Sequence, residues 1–236
     1  MSIILESHDL CKRYGNIRTG FEALRGVNIT LSSGQITGLL GPNGSGKTTF
    51  IKTATGLLQP TSGTITIDGM PVGPQTKAVV SYLPERTYFS DWMKTTDMLE
   101  YFRDFYEDFD IDRACDMLNA LDIRPDQKLR NMSKGTKEKV QLVMVMSRRA
   151  KLYILDEPIA GVDPASRDFI LRTILSNYDP EAAILISTHL ITDIEQILDH
   201  VIFLQEGCVR LAGNVDDIRN VEGKSIDALF REVFRC

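Results

Sequence analysis

The residues Gly41-Pro42-Asn43-Gly44-Ser45-Gly46-Lys47-Thr48 carry the types a phosphate cradle needs, in the order G-x-x-x-x-G-K-[ST]. They directly follow the apolar run 36–40 and precede a helical pattern over 49–57, so the context is strand, loop, helix. Glycines let the backbone curl until successive N–H groups point inward, and a helix N-terminus adds a field that favours phosphate. Lys47 is then placed to neutralise β and γ phosphates, and the Thr48 hydroxyl to reach Mg²⁺.

A second cluster supplies what such a cradle lacks. The stretch Leu152-Tyr153-Ile154-Leu155-Asp156-Glu157 reads as an apolar strand ending in two carboxylates. Asp156, at the C-terminal edge of a sheet, is positioned to hold the metal or its water. Glu157, just beyond the strand end, is positioned to orient or deprotonate an attacking water.

Short β-type runs recur at 35–40, 64–68, 79–83, 152–155, 183–187 and 201–204. Most are continuous apolar runs, which suits strands buried on both faces of a parallel sheet, and the helical patterns between several of them give an α/β reading. The runs around 3–5 and 27–31 alternate better and predict an antiparallel edge sheet. Residues 88–109 differ in character, holding eight of the 18 aromatics. Met98, Tyr101, Phe102, Phe105 and Phe109 follow helical spacing, which predicts an inserted helical segment with a small core of its own and, in part, an exposed docking surface.

Composition narrows the class. At 236 residues, with 43% hydrophobic and 25% charged residues, the chain suits one large soluble domain with a small insertion. The net charge of −5 gives no reason to expect nucleic acid as partner. No apolar run approaches the roughly 20 residues that cross a bilayer, and residues 1–10 lack the basic region of a signal peptide. Cys11, Cys115, Cys208 and Cys236 are scattered without a C-x-x-C pair, which speaks against a zinc site or disulfide framework and for a reducing cytosol.

With these residues in order, the whole chain resembles the ATP-binding subunits of ATP-binding cassette (ABC) transporters. The motifs run L-C-K-R-Y-G with Tyr14, the phosphate loop Gly41 to Thr49, Y-L-P-E at Tyr82 to Glu85, M-S-K-G-T at Met132 to Thr136, L-D-E-P at Leu155 to Pro158, G-V-D at Gly161 to Asp163, and S-T-H at Ser187 to His189. The resemblance implies a P-loop NTPase core with a mostly parallel sheet, an N-terminal antiparallel β subdomain and an inserted α-helical subdomain. The core is expected at about 1–86 and 150–236, and the helical subdomain at about 87–149. It implies that Tyr14 stacks on adenine, Thr49 contacts the α-phosphate, Asp163 bridges to an opposite subunit, and His189 senses the γ-phosphate.

Two departures from the family pattern stand out. Glu85 occupies the place of a usual Gln, and is expected still to approach the metal together with Thr48 and Asp156. The family's L-S-G-G-Q becomes Met132-Ser133-Lys134-Gly135-Thr136, retaining Ser133 and Gly135 at the start of a helix expected over 137–149.

These residues imply an ATPase that uses ATP and Mg²⁺. Its catalytic residues are expected to be Lys47, Glu157 and His189, and two cassettes, identical or paralogous, would close head to tail around two ATPs. Without a spanning segment, the motion passes to a separate transmembrane permease, which places the chain at the cytoplasmic face of the membrane. The ending G-K-S-I-D-A-L-F-R-E-V-F is similar to the tails of bacterial exporters of drugs or antimicrobial peptides. The alternative is a soluble cassette that remodels nucleic acid or ribosomes, but neither a coiled-coil insertion nor a tandem cassette is present. A GTPase switch is disfavoured because no N-K-x-D motif occurs.

Overall fold

The computed structural model describes residues 1–16 and 19–234; Cys236 lies outside the described residues. Two sheets organise the molecule. The first is antiparallel, in the order β2 (Phe21–Ser32), β1 (Ile3–Tyr14), β4 (Ser62–Ile67), β5 (Met70–Pro71). The second has the order β10 (Cys208–Asn214), β9 (His200–Gln205), β3 (Ile36–Leu40), β8 (Ala183–Thr188), β7 (Leu152–Asp156), β6 (Val80–Leu83). Its strands run parallel except β10, which pairs antiparallel with β9 at the edge.

The continuous apolar runs are explained by what covers the parallel sheet. Ile154 of β7 and Leu185 of β8 pack into one core with Leu5, Leu24 and Ile29 of the antiparallel sheet and Phe50 of α1 (Lys47–Ala54). Leu155 and Ile186 face the other way, onto a core with Leu142 of α5 (Lys134–Met146), Ile170 of α6 (Pro164–Asn177) and Phe230 near the C-terminus. With apolar partners on both faces, no polar alternation is needed, and β3, β7 and β8 are buried throughout. The run at 64–68 is the exception: as β4 it pairs antiparallel with β1, in the other sheet.

A third core gathers Met98 and Phe102 of α3 (Thr95–Phe105), Leu118 of α4 (Ile111–Ala120), and Val140 and Met144 of α5. The helical spacing read at 98–109 is only partly helical, since α3 ends at Phe105 while Phe109 follows in a loop. Phe109 still meets Phe102, with ring centroids 5.3 Å apart. Tyr101 and Phe105 turn outward, stacked on each other at 4.5 Å and exposed. The helix expected over 137–149 starts three residues earlier, because Ser133 caps it, its Oγ accepting from the Thr136 N–H at 3.2 Å. Likewise α1 begins at Lys47 and ends at Ala54, where Gly56 with φ +73° turns the chain.

One buried arginine joins this helical region to the parallel sheet. Arg148 is 2% exposed and donates to the carbonyls of Val80 in β6 and Ala78 in α2 (Pro74–Val79), at 2.5 and 2.6 Å. Its Nε and Nη2 reach the Asp108 carboxylate at 2.9 and 3.1 Å, and its guanidinium lies 3.8 Å from the Tyr106 ring centroid. Arg148→Met keeps most of the volume but strands these acceptors. It is expected to cost about 3 kcal/mol, the scale for breaking a buried pair, as checked by urea unfolding.

Candidate nucleotide site

Parallel register brings three chemical segments to one sheet edge. In β3, β8 and β7, Leu40 lies opposite Thr188 and Asp156 opposite Ser187. The phosphate loop, the Ser187–His189 segment and the Asp156–Glu157 pair therefore leave from neighbouring strand ends. That edge, at the carboxyl ends of parallel strands, is where open α/β sheets bind ligands.

The loop is shaped by a glycine that no other residue replaces without strain. Gly46, at the N-cap of α1, has φ +111°, and a Cβ there would sit 2.6 Å from the Ala23 carbonyl oxygen. The next residue, Lys47, is 6% exposed; its ammonium donates to the carbonyls of Gly41 at 2.6 Å and Pro42 at 3.3 Å, and lies 3.9 Å from Glu157 Oε1. Burial pulls the Lys47 pKa down, while the carboxylates of Glu157, Asp156 and Glu85 push it back up.

Around this one ammonium stand three carboxylates. Burial pushes the Asp156 carboxyl up; the Ser187 hydroxyl, donating to Oδ1 at 2.5 Å, and Lys47 oppose that, while Glu157 and Glu85 add to it. Glu157 sits at φ +51°, a left-handed conformation that costs a non-glycine residue about 1 kcal/mol. Its N–H donates to the Ser187 carbonyl and hydroxyl, both at 3.1 Å, and these bonds hold the turn. Its carboxylate oxygens lie 3.0 and 3.1 Å from His189 Nδ1. Glu85, exposed in the loop after β6, lines the same cleft.

This cleft, of about 350 Å³, is lined by Tyr14, Asn43 to Thr49, Glu85, Glu157 and His189. Tyr14 is half-exposed, with its hydroxyl 3.5 Å from Thr49 Oγ1 and Lys12 Nζ 5.6 Å from its ring centroid. Gly41 and Pro42 contribute through the carbonyls that seat Lys47. The loop amides, the α1 N-terminus and Lys47 fit a polyphosphate, and Tyr14 offers a flat apolar face to a base. Among the described residues, no group of three or more His, Cys, Asp or Glu side chains is arranged to hold a metal by itself. The carboxylate excess together with the Thr48 hydroxyl suits Mg²⁺, a hard cation that takes one or two carboxylates and completes its shell with phosphate oxygens and water.

Although Lys134 lines an adjoining cavity of about 490 Å³ with Glu85, Asp156 and Glu157, none of Ser133, Lys134, Gly135 and Thr136 lines this cleft. They form the first turn of α5, beside Asp163, which caps α6 by accepting from Ser166 N at 3.0 Å and Ser166 Oγ at 2.6 Å. These hydrogen bonds hold the Asp163 carboxyl below the usual carboxylate range. A Cβ on Gly135 would lie 3.7 Å from Asp163 Oδ2. Most predicted site residues thus fall into two groups, one lining the cleft and one at the start of α5 and α6, while Asp156 lines the adjoining cavity with Glu85, Glu157 and Lys134.

Two residues of the site were not singled out by sequence. Ser187 bonds both Asp156 and Glu157, and its only signal was membership of S-T-H at a strand end. Phe21, 60% exposed, pairs with Tyr14 across β1 and β2 and shares the cleft. Its place beside Tyr14 depends on hairpin register, which the sequence around 15–20 did not reveal.

Comparison with known proteins agrees with this geometry. The sequence profile described as "ABC transporter" matches residues 24–160. An ABC transporter ATP-binding protein of Synechocystis sp. is 32% identical over 94% of this chain and 66% of its own length. The ABC transporter ATP-binding protein YtrB of Bacillus subtilis is 31% identical over 85% and 70%. This chain thus spans about two thirds of the length of these relatives. More distantly, the linearmycin resistance ATP-binding protein LnrL of B. subtilis is 26% identical, over 91% and 70%.

Among solved structures, an ATP-binding subunit of an ABC transporter superposes with TM-score 0.87 at 30% identity, covering 98% of this chain and 99% of the other. A dimeric ATP-binding cassette bound to ADP and Pi shares the fold at 17% identity, with TM-score 0.79 over 89% and 98%. The chain belongs to the ABC transporter family and is an ATP-binding, ATP-hydrolysing cassette of it.

Ser187→Ala removes the donor to Asp156 and one acceptor for the Glu157 N–H. The Mg²⁺ concentration for half-maximal ATPase is expected to rise roughly ten-fold, the scale for losing a support of a metal ligand. An unchanged Mg²⁺ titration would detach Ser187 from the metal side of the site.

Proposed function

We propose that this cassette works as one of a head-to-tail pair that buries two ATPs and drives a separate membrane permease. The observation carrying the reading is the division of the site residues. Lys47, Thr48 and Glu157 line the cleft, with Asp156 buried next to Glu157 at the end of β7, whereas Ser133 and Gly135 present a capped helix N-terminus that does not line it. A second copy presenting Ser133 and Gly135 to the open side of the cleft would complete the phosphate shell, and Asp163, beside Gly135, would lie at the junction. The dimeric cassette structure of the same fold supports this arrangement.

Within each composite site the chain's own residues divide the work. Tyr14 stacks on the base, and the amides of Gly41 to Thr49 with the Lys47 ammonium hold the phosphates. Thr48 and Asp156, with Glu85, would hold Mg²⁺, which would neutralise charge on the phosphates. Glu157 accepts the proton of the attacking water. His189, already within hydrogen-bonding distance of that carboxylate, keeps it aimed and bonds the γ-phosphate. Loss of the γ-phosphate removes the bridge between the copies, so each turnover closes and reopens the pair.

The core is assigned to about 1–86 and 150–236, and the helical subdomain bearing Ser133 to about 87–149. The described residues include no helix long and apolar enough to cross a membrane, so the transport path is assigned to a permease. The exposed aromatics Tyr88, Trp92, Tyr101 and Phe105, with the loop at Glu85, form its docking face. Export of a drug or antimicrobial peptide is the favoured direction, supported by the likeness to the linearmycin resistance protein LnrL.

Glu157→Gln tests the assignment of the base. The variant is expected to bind ATP, to hydrolyse it at least about 100-fold more slowly, and to accumulate as a dimer in gel filtration with ATP. Near-normal turnover would remove Glu157 from that role.

A further inference from the structure

The first turn of α5 is charged against its own field. A helix N-terminus carries partial positive charge, so cations there are unfavourable. This turn contains no acid, yet Lys134 occupies its first position, with Lys137 and Lys139 soon after. Such a breach of a local rule marks a place where something else repays the cost.

Two of the three lysines are already engaged within the subunit. Lys137 Nζ lies 2.6 Å from Asp91 Oδ1, and Lys139 Nζ lies 5.4 Å from the ring centroid of Phe169. Lys134 is held differently. Its side chain is 71% exposed, and its ammonium is 3.7 Å from Glu138 Oε1. That ammonium is folded over Gly161, where a Cβ would come 2.5 Å from Nζ, so the seat exists only because residue 161 has no side chain. The pair is exposed on the lysine side only, Glu138 being 27% exposed, and at 3.7 Å it lies beyond hydrogen-bonding distance, so it competes poorly with a direct contact to a denser anion. The partner left behind is poorly satisfied in any case: Glu138 Oε2 is buried without a hydrogen bond, as is Nε2 of the adjacent Gln141.

Resting on the two-copy reading above, we propose that Lys134 is a stored phosphate contact, parked over Gly161 and beside Glu138 in its own subunit until it swings to the γ-phosphate of ATP held by the second copy. The family's usual glycine at this position supplies no charge, so Lys134 adds a cation to the composite site of this chain. Its parking place lies on the loop between Glu157 and Asp163, so leaving it also uncovers that loop.

The experiment follows ATP-driven dimerisation by sedimentation, in the Glu157→Gln background, across a salt series. Adding Lys134→Met is expected to weaken dimerisation roughly ten-fold at low salt and to flatten its salt dependence, as loss of a charge-assisted phosphate contact does. Lys134→Arg is expected to retain the parent behaviour. Glu138→Gln, which removes the competing seat, is expected to strengthen dimerisation. A purely structural strap predicts instead that Lys134→Met and Glu138→Gln weaken dimerisation alike, and that result overturns the proposal. Parent-like dimerisation of Lys134→Met at every salt concentration overturns it as well. Thermal melts run in parallel separate misfolding from lost contact, with Lys134→Gln as the substitute if the Met variant melts early. Should the Glu157→Gln parent stay monomeric with ATP, the two-copy reading itself fails, and the role of Lys134 with it.

Discussion

Everything at the site depends on the pairing of β3, β8 and β7. A one-residue slip in that register would turn every inward side chain to the other face and separate Asp156 from Ser187. The register is secured because both faces of these strands are covered, one by the antiparallel sheet and α1, the other by α5 and α6. The apolar runs that look unremarkable in sequence are therefore what places a lysine, two carboxylates and a histidine at one edge.

The second constraint is electrostatic. Lys47 and Asp156 are taken almost wholly out of water, and burial acts against the charged form of each. They stabilise each other only in part, since Glu157 and Glu85 leave negative charge in excess. Such a set is poised for a ligand that brings both signs, phosphate for the lysine and loop amides, and a divalent cation for the acids. The strained turn at Glu157 belongs to the same design, because its two bonds to Ser187 fix where the carboxylate points.

Much of this was legible in the amino-acid order. The glycine pattern before Lys47 and the apolar run ending in Asp156 each state a local geometry, and local geometry is what sequence encodes best. Tertiary facts were less visible. The 64–68 segment reads as another strand of the same kind, but its pairing with β1 is a long-range choice. Phe109 keeps the helical period of α3 from outside the helix, so period alone misplaced its backbone while finding its neighbour Phe102. Ser187 and Phe21 were passed over because their roles come from the strand beside them. At the start of α5, the Ser133 cap moved the helix boundary and placed Lys134 in the first turn, against Gly161.

The central claim is that each ATP site is built from two chains. Subunit mixing tests it most directly, using Lys47→Met, which disables the cleft, and Ser133→Arg, which blocks the opposite surface. Each variant alone has no intact composite site, whereas random pairing of the two restores roughly a quarter of the sites through mixed dimers. ATPase activity that appears only on mixing, and depends on total protein concentration, is the predicted result. Two inactive variants that stay inactive together, or a Ser133→Arg cassette that hydrolyses ATP as well as its parent, would contradict the account.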